Sequence, residues 1–385
     1  MALIRIADVS PRDGLQNEPH SVATAHKVAL VKRLFLCGLD EIEVSSFVSA
    51  KSIPQLGDAA EVFAALLALG RETLESGPML SALVPNEKGM TAALEVNQRA
   101  GFALIKKVSV FTAASETFSK RNTNATIAES IERFKPVIAA ARANALFVRG
   151  YISCAIACPF EGPIAPAKVH EVAGRLIAIG VDEIDLGDTI GAATPQTTRD
   201  LLEPILSRYT PSPTSHAVTQ MLREVRLKVE KMLPKGKGSN GDSTSGADVP
   251  IRVENVLSAT ISDEEAAKFT TSAHAARFIR SNQPPANAFP ITLHLHDTLG
   301  NAAACIAEAL KMGLLSFDGS VGGLGGCPYA STPLKRAPGN INTELLVKTI
   351  ENEGHTTKVN ARNLAAAATL ATRIIAEAGE PDPQL

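Results

Sequence analysis

The 385-residue sequence has no tryptophan, few other aromatics, no large imbalance of charge and no long apolar run. These absences narrow the classes of function. A formal net charge of -2 leaves no basic excess of the kind that holds nucleic acid as a bulk partner. No apolar stretch approaches the roughly 20 residues that a membrane span requires. The N-terminal run M-A-L-I-R-I-A-D-V enters a strand-like pattern at once, with neither a signal peptide nor an Arg-rich transit sequence, and P-D-P-Q-L at the other end is not a peroxisomal address. A cytoplasmic location is expected, and a mitochondrial one only if a targeting segment is missing from this chain. Cys37, Cys154, Cys158, Cys305 and Cys327 are odd in number and lack the spacing of a disulfide framework, so reduced thiols are expected. The remainder, 45% hydrophobic and 20% charged, suits a soluble globular protein long enough for one large barrel or two ordinary domains.

Short β-branched runs alternate with longer helical patterns along the chain. Strands are predicted at Leu3–Asp8, Glu41–Ser45, Met79–Val84, Lys107–Phe111, Phe147–Ser153, Glu183–Leu186, Ile291–His296 and Ser316–Ser320. Helix-like segments lie between them, from Ala25–Leu36 and Ala59–Leu69 through Pro195–Ser207 to Ala302–Met312 and Thr343–Asn352. Strand and helix alternating eight times predict an α/β fold, a (β/α)8 TIM barrel spanning 1–385 as a single domain. The regularity fails over 209–290, where P-S-P-T, a basic amphipathic stretch and a Gly/Ser-rich linker-like run precede a capping box at Ser262–Glu265. This reads as a partly flexible insertion between helix six and strand seven, on the face opposite the active site.

The chemistry gathers around I-T-L-H-L-H-D-T-L-G-N, residues 291–301. Alternate side chains of a strand share a face, so His294 and His296 point the same way at the strand's C-terminal end, where barrel enzymes keep their active sites. An H-x-H pair alone is ambiguous, because a metal site needs further ligands. The loop after strand one, S-P-R-D-G-L-Q-N-E, brings Arg12, Asp13 and Gln16 to the same rim, and Asp13 is the natural third ligand; a plain turn built on Gly14 is the competing reading. Glu43, inside the barrel on strand two, needs a partner, and Arg12 is the candidate, a rim carboxylate facing water being the alternative. Asp188 in L-G-D-T-I-G is either a rim acid near the metal or a helix-capping turn residue. V-G-G-L-G-G-C-P-Y-A places Cys327 on a glycine-rich lid, where a thiol can deliver a proton, although most single cysteines are small apolar fillers. Asn340 can add an amide oxygen. Two imidazoles, a carboxylate and an amide oxygen leave two positions of an octahedron open and suit Mg2+ or Mn2+, with Zn2+ as a further candidate.

These stretches, together with E-V-S-S-F-V-S, A-A-S-E-T-F-S-K-R-N and R-G-Y-I-S-C-A, make the sequence resemble the 3-hydroxy-3-methylglutaryl-CoA lyase family along almost the whole chain outside the insertion. The resemblance implies a metal-dependent TIM barrel that cleaves 3-hydroxy-3-methylglutaryl-CoA to acetoacetate and acetyl-CoA, a step of leucine catabolism and ketone-body formation. It also implies an acyl-CoA substrate and a homodimer. Asp13, His294, His296 and Asn340 would bind the cation, and Arg12, with Gln16 at the same rim, would meet the substrate. Glu43 and Asp188 would support the site, His294 would assist as well as ligate, and Cys327 would act as acid/base. Two features depart from the family pattern: Asp8 stands where a glutamate is usual, and the segment between Cys327 and Asn340, with S-T-P-L-K-R-A-P-G in it, is longer than the usual lid. A Claisen-condensing acyltransferase of the homocitrate or isopropylmalate synthase type would share the barrel and the H-x-H but not the cysteine loop. A non-catalytic scaffold would have no need of the metal ligands.

Overall fold

A computed structural model describes residues 1–209, 289–326 and 338–378. Most of the predicted insertion, 210–288, with its amphipathic stretch and its capping box, lies outside the described residues.

Eight parallel strands close into a barrel: β1 Arg5–Asp8, β2 Glu41–Ser46, β3 Met79–Leu83, β4 Lys107–Ala113, β5 Phe147–Ser153, β6 Glu183–Asp188, β7 Ile291–Leu295 and β8 Ser316–Gly319, with β8 pairing back onto β1. The connecting helices are α1 Thr24–Leu34, α2 Ala59–Leu66, α3 Glu87–Ala100, α4 Ile127–Ala143, α5 Pro166–Ile179, α6 Pro195–Tyr209, α7 Ala302–Lys311 and α8 Thr343–Asn352. The expected (β/α)8 architecture is therefore the one found. None of the described helices is long and apolar enough to cross a membrane.

Local signals account for most helix boundaries. Thr126 and Glu129 form a reciprocal capping box at the start of α4, and Gly101 and Gly180 end α3 and α5 in the left-handed conformation that favours glycine. The helix predicted over Ala59–Leu69 breaks instead at Leu66, and a separate helix, Arg71–Ser76, follows Gly70 at φ +81°. A further helix, Ala361–Ala378, was not anticipated, although its buried stripe, Leu364, Ala367, Ala371 and Ile374, recurs at helical spacing. Asn363 Nδ2 ties it to Leu36 O (2.6 Å), beside α1.

The strands separate two unlike interiors. Outward side chains such as Ile42, Val108, Val110, Val148, Ile184, Leu293 and Phe317 are buried in an apolar layer under the helices. The lumen is ionic. Lys107 Nζ bonds Glu41 Oε2 (2.7 Å) and Glu183, and Arg149 meets Glu183 (2.8 Å), Asp318 (3.1 Å), Asp185 (3.2 Å) and Glu41 (3.3 Å). Barrels of this fold are usually filled by branched aliphatics. Here charge takes that place, and the network forms the floor of the site above it.

Candidate metal centre

The loop after β1 contains one wide helical turn, Ser10–Gly14, in which Gly14 N–H donates to Val9 O five residues back (3.1 Å). Asp8 anchors it. One carboxylate oxygen accepts from the Ser10 amide (3.0 Å) and hydroxyl, and the other from Val321 N (3.0 Å) and Thr343 Oγ1 (2.8 Å). The short acid at position 8 thus joins the loops after β1 and β8 to the start of α8.

That turn holds Arg12 and Asp13 at the rim. Arg12 Nε donates to Glu43 Oε2 and Nη1 to Asp13 Oδ1, each at 2.5 Å, so the pairing of Arg12 with Glu43 holds and the solvent-facing alternative for Glu43 falls. Glu43 is fully buried and also accepts from Tyr151 Oη (3.2 Å); the guanidinium carbon stands 5.3 Å from the Tyr151 ring centroid. Nη2 of Arg12 donates to none of the described residues.

Asp13, His294 and His296 come together as the spacing predicts. Asp13 Oδ2 lies 3.9 Å from Nε2 of His294 and 4.0 Å from Nε2 of His296. Both gaps fall within twice a metal–ligand bond, about 4.2 Å. The His296 backbone bridges to Asn340, whose Nδ2 donates to Asp13 Oδ2 (2.8 Å) and Leu324 O (3.0 Å). Asn340 therefore adjoins the three, presenting its amide nitrogen; ligation through oxygen needs a half-turn of that amide.

The electrostatics fit a cation. Burial opposes ionisation of Asp13, but Arg12, both histidines and the Asn340 hydrogen bond bring its pKa below the usual carboxylate range. Burial and neighbouring His294 push His296 down from 6.5 to about 4, which leaves its lone pair available at neutral pH. The sign of the resulting pH dependence is fixed: below pH 6.5 the unfolded chain takes up a proton that the folded protein refuses until about pH 4, so stability present above 6.5 is lost as pH falls. For chelator-treated protein, the difference in urea stability between wild type and His296→Asn should move against wild type by up to about 3 kcal/mol between pH 7 and 4. A difference that does not change with pH would show that His296 titrates normally.

A second cluster, Asp185, His294 and Asp318, also has ligand atoms within 4.8 Å of one another. It is not a second cation site, because Nη1 of Arg149 already sits 3.1 and 3.2 Å from the two carboxylates. Burial and Asp318 push Asp185 well above the usual carboxylate range, whereas burial is outweighed at Asp318 by Arg149 and His294, which hold it low.

The other predicted residues are placed as follows. Asp188 closes β6, and its oxygens accept from the amides of Ala192 (3.0 Å) and Ala193 (2.8 Å), the geometry of the turn-forming reading; burial, opposed by these bonds, pushes it up to about 6. Gln16 is half-buried just past the wide turn. Cys327 lies outside the described residues, but the two ends of its loop meet at the site: a Cβ on Gly339 would fall 2.2 Å from Gly325 C, and one on Gly325 2.5 Å from Asn340 Nδ2. Asn17 Nδ2 donates to Gly326 O (2.9 Å) and ties the first loop to that junction. Sequence reasoning missed Arg149, Tyr151, Asp185, Asp318 and Asn17. A signal existed for four of them, since R-G-Y, E-I-D and S-F-D each set polar residues two apart on a strand, on one face.

With this geometry in hand, the relatives are informative. The model of the family described as HMGL-like matches residues 3–219 and 257–371. The 3-hydroxy-3-isohexenylglutaryl-CoA/hydroxy-methylglutaryl-CoA lyase of Pseudomonas aeruginosa is 36% identical over 341 residues, 89% of this chain and 82% of that protein. The mitochondrial hydroxymethylglutaryl-CoA lyase of Bos taurus is 35% identical over 361 residues, 94% of this chain and 82% of that one. The crystal structure of the HMG-CoA lyase from Brucella melitensis superposes with a TM-score of 0.70 at 32% identity, covering 98% of this chain and 100% of the other. The match to the family model covers both halves of the barrel and every element that carries the site, and on this ground the chain belongs to the HMGL-like family.

Proposed function

We propose that this protein is a divalent-metal-dependent lyase that cleaves 3-hydroxy-3-methylglutaryl-CoA to acetoacetate and acetyl-CoA. The observation that carries the reading is the convergence of Asp13, His294 and His296 beside a buried arginine one of whose terminal nitrogens has no partner among the described residues. Asp13, His294 and His296 would hold the cation, with Asn340 as fourth ligand after its amide turns; Mg2+ or Mn2+ suits this set, with Zn2+ as a further candidate. Bound there, the ion supplies Lewis acidity that eases loss of the proton from the substrate's tertiary hydroxyl.

The protein's own groups account for the rest. As the hydroxyl proton passes to the Cys327 sulfur, the proposed acid/base group, the bond between C2 and C3 breaks, acetoacetate departs and the bonding electrons pass to the thioester carbonyl as an enolate. Nη2 of Arg12 hydrogen-bonds that oxygen as charge develops on it, while Glu43 and Asp13 fix the guanidinium from the other side. Asp188 shapes the loop after β6, Gln16 borders the substrate, and Cys327 returns a proton to the enolate carbon, which becomes the methyl of acetyl-CoA. The proposed assembly is a homodimer, read by sedimentation of the full chain.

The deciding experiment uses chelator-treated protein with 3-hydroxy-3-methylglutaryl-CoA, with and without Mg2+ or Mn2+, following both products. Equimolar acetoacetate and acetyl-CoA should appear only with metal, and His294→Ala should abolish them. Metal binding without cleavage would refute the substrate; absence of metal binding would refute the reading as a whole.

A further inference from the structure

The two histidines differ at their second ring nitrogen. Nδ1 of His294 lies 3.1 Å from Asp318 Oδ2, both groups buried, whereas Nδ1 of His296 is engaged by no side chain among the described residues. We propose that Asp318 is a positioning residue: it accepts the Nδ1–H of His294 and so fixes the tautomer whose Nε2 lone pair faces Asp13 and the metal position. The inference deepens the lyase reading and rests on it for what Nε2 binds.

Three features of the fold support it. The contact is built into the sheet, since β7 and β8 pair in a register that sets His294 directly beside Asp318. Asp318 cannot swing away, because Nη1 of Arg149 reaches both of its oxygens (3.1 and 3.2 Å) and Arg149 is itself held by Glu41 and Glu183. The carboxylate so paired only accepts hydrogen bonds. The proton on that contact must therefore belong to Nδ1, and a neutral ring then carries its lone pair on Nε2, the atom 3.9 Å from Asp13 Oδ2. A carboxylate behind a metal-bound imidazole holds the ring's orientation and raises its basicity, and losing such a partner typically weakens metal affinity by about 10- to 100-fold.

The test reads the tautomer directly, in full-length protein with 15N-labelled histidine, chelator-treated at pH 8, the His294 signals being identified by their loss in His294→Gln. Wild type should show Nδ1 protonated and Nε2 bare, and Asp318→Asn should lose that single tautomer. Mg2+ affinity, measured by competition with a chelator, should fall by about 10- to 100-fold in Asp318→Asn. Asp185→Asn, which alters the same Arg149 cluster, keeps a side-chain donor toward Asp318 and leaves the Asp318–His294 pair itself unsubstituted, should leave both readouts near wild type. A wild-type His294 protonated at Nε2 overturns the proposal even if Asp318→Asn does not fold, and so does an equal loss of affinity in Asp185→Asn. Failure of wild type to bind Mg2+ would count against the lyase reading, while the tautomer spectrum would still decide the role of Asp318.

Discussion

Replacing Arg12 with Met should lower kcat for cleavage by about 10²- to 10³-fold while the protein still binds its divalent cation, the usual cost of losing one donor aimed at a developing oxyanion. Two nitrogens of Arg12 are already committed, Nε to Glu43 and Nη1 to Asp13, which leaves Nη2 as the donor without a partner among the described residues. The substitution has a second consequence that must be separated from the first. Glu43 is fully buried, and without Arg12 its carboxylate keeps, among the described residues, only the Tyr151 hydroxyl at 3.2 Å. A buried charge stripped of its partner costs about 3–5 kcal/mol of stability. Arg12→Met with Glu43→Gln removes that orphaned charge, so the double variant should recover stability but not rate. Lysine at position 12 keeps the charge without the fork and should restore only part of the rate. Measured under saturating substrate on folded, metal-loaded protein, a kcat near wild type in Arg12→Met would remove Arg12 from the chemistry.

The parts of this site that were legible in the sequence are those in which short motifs combine residue type with position. H-x-H at the end of an apolar run put two histidines on one strand face, and S-P-R-D-G directly after a strand put Arg12 and Asp13 at the same rim. The barrel itself followed from alternation of periods. The lumen was harder to read. Arg149, Asp185 and Asp318 lie on three strands, and nothing local in R-G-Y, E-I-D or S-F-D says that their charges will meet; that is set by closure of the barrel and by the registers that align Arg149 with Glu183 and Asp318 with His294. The signal was the repeated polar residue at every second position, which argues against an aliphatic barrel filling. The helix Ala361–Ala378 was missed because it follows the eighth strand–helix unit, where no further strand announces it, although its buried stripe recurs at helical spacing. Asp188 shows a choice that residue type could not make: its oxygens accept the amides of Ala192 and Ala193, and it also lies within electrostatic reach of His294.

The floor of the site yields the second large effect. Arg149→Met should cost about 3–5 kcal/mol at pH 7, a large share of the roughly 5–15 kcal/mol that holds a domain folded. Arg149 is 1% exposed and faces Glu41, Glu183, Asp185 and Asp318 between 2.8 and 3.3 Å; Lys107, at Glu41 and Glu183, and Arg5, 3.9 Å from Glu41, are further cations on this group, and neither pairs with Asp318 or Asp185 among the described residues. Methionine fills a similar volume but leaves Asp318 without the guanidinium that offsets its burial, and Glu183 with Lys107 and Arg5 in place of three cations. The pH dependence separates this cause from simple loss of packing. In wild type, burial of Glu183 and Asp318 is outweighed by Arg149, so their pKa values lie below the ordinary range; the stability they contribute is present above that range and is lost as pH falls through their folded values. Without Arg149, burial should carry Asp318 upward while Lys107 and Arg5 still act on Glu183, and the sign reverses at Asp318: the variant should gain stability relative to wild type as pH falls from 7 to about 5. Urea midpoints of both proteins across that interval measure the difference. A gap that stays constant with pH would mean that the guanidinium serves as packing and that the ionic floor is balanced without it; a gap that narrows on acidification would identify Arg149 as the charge on which Asp318, and through it His294, depends.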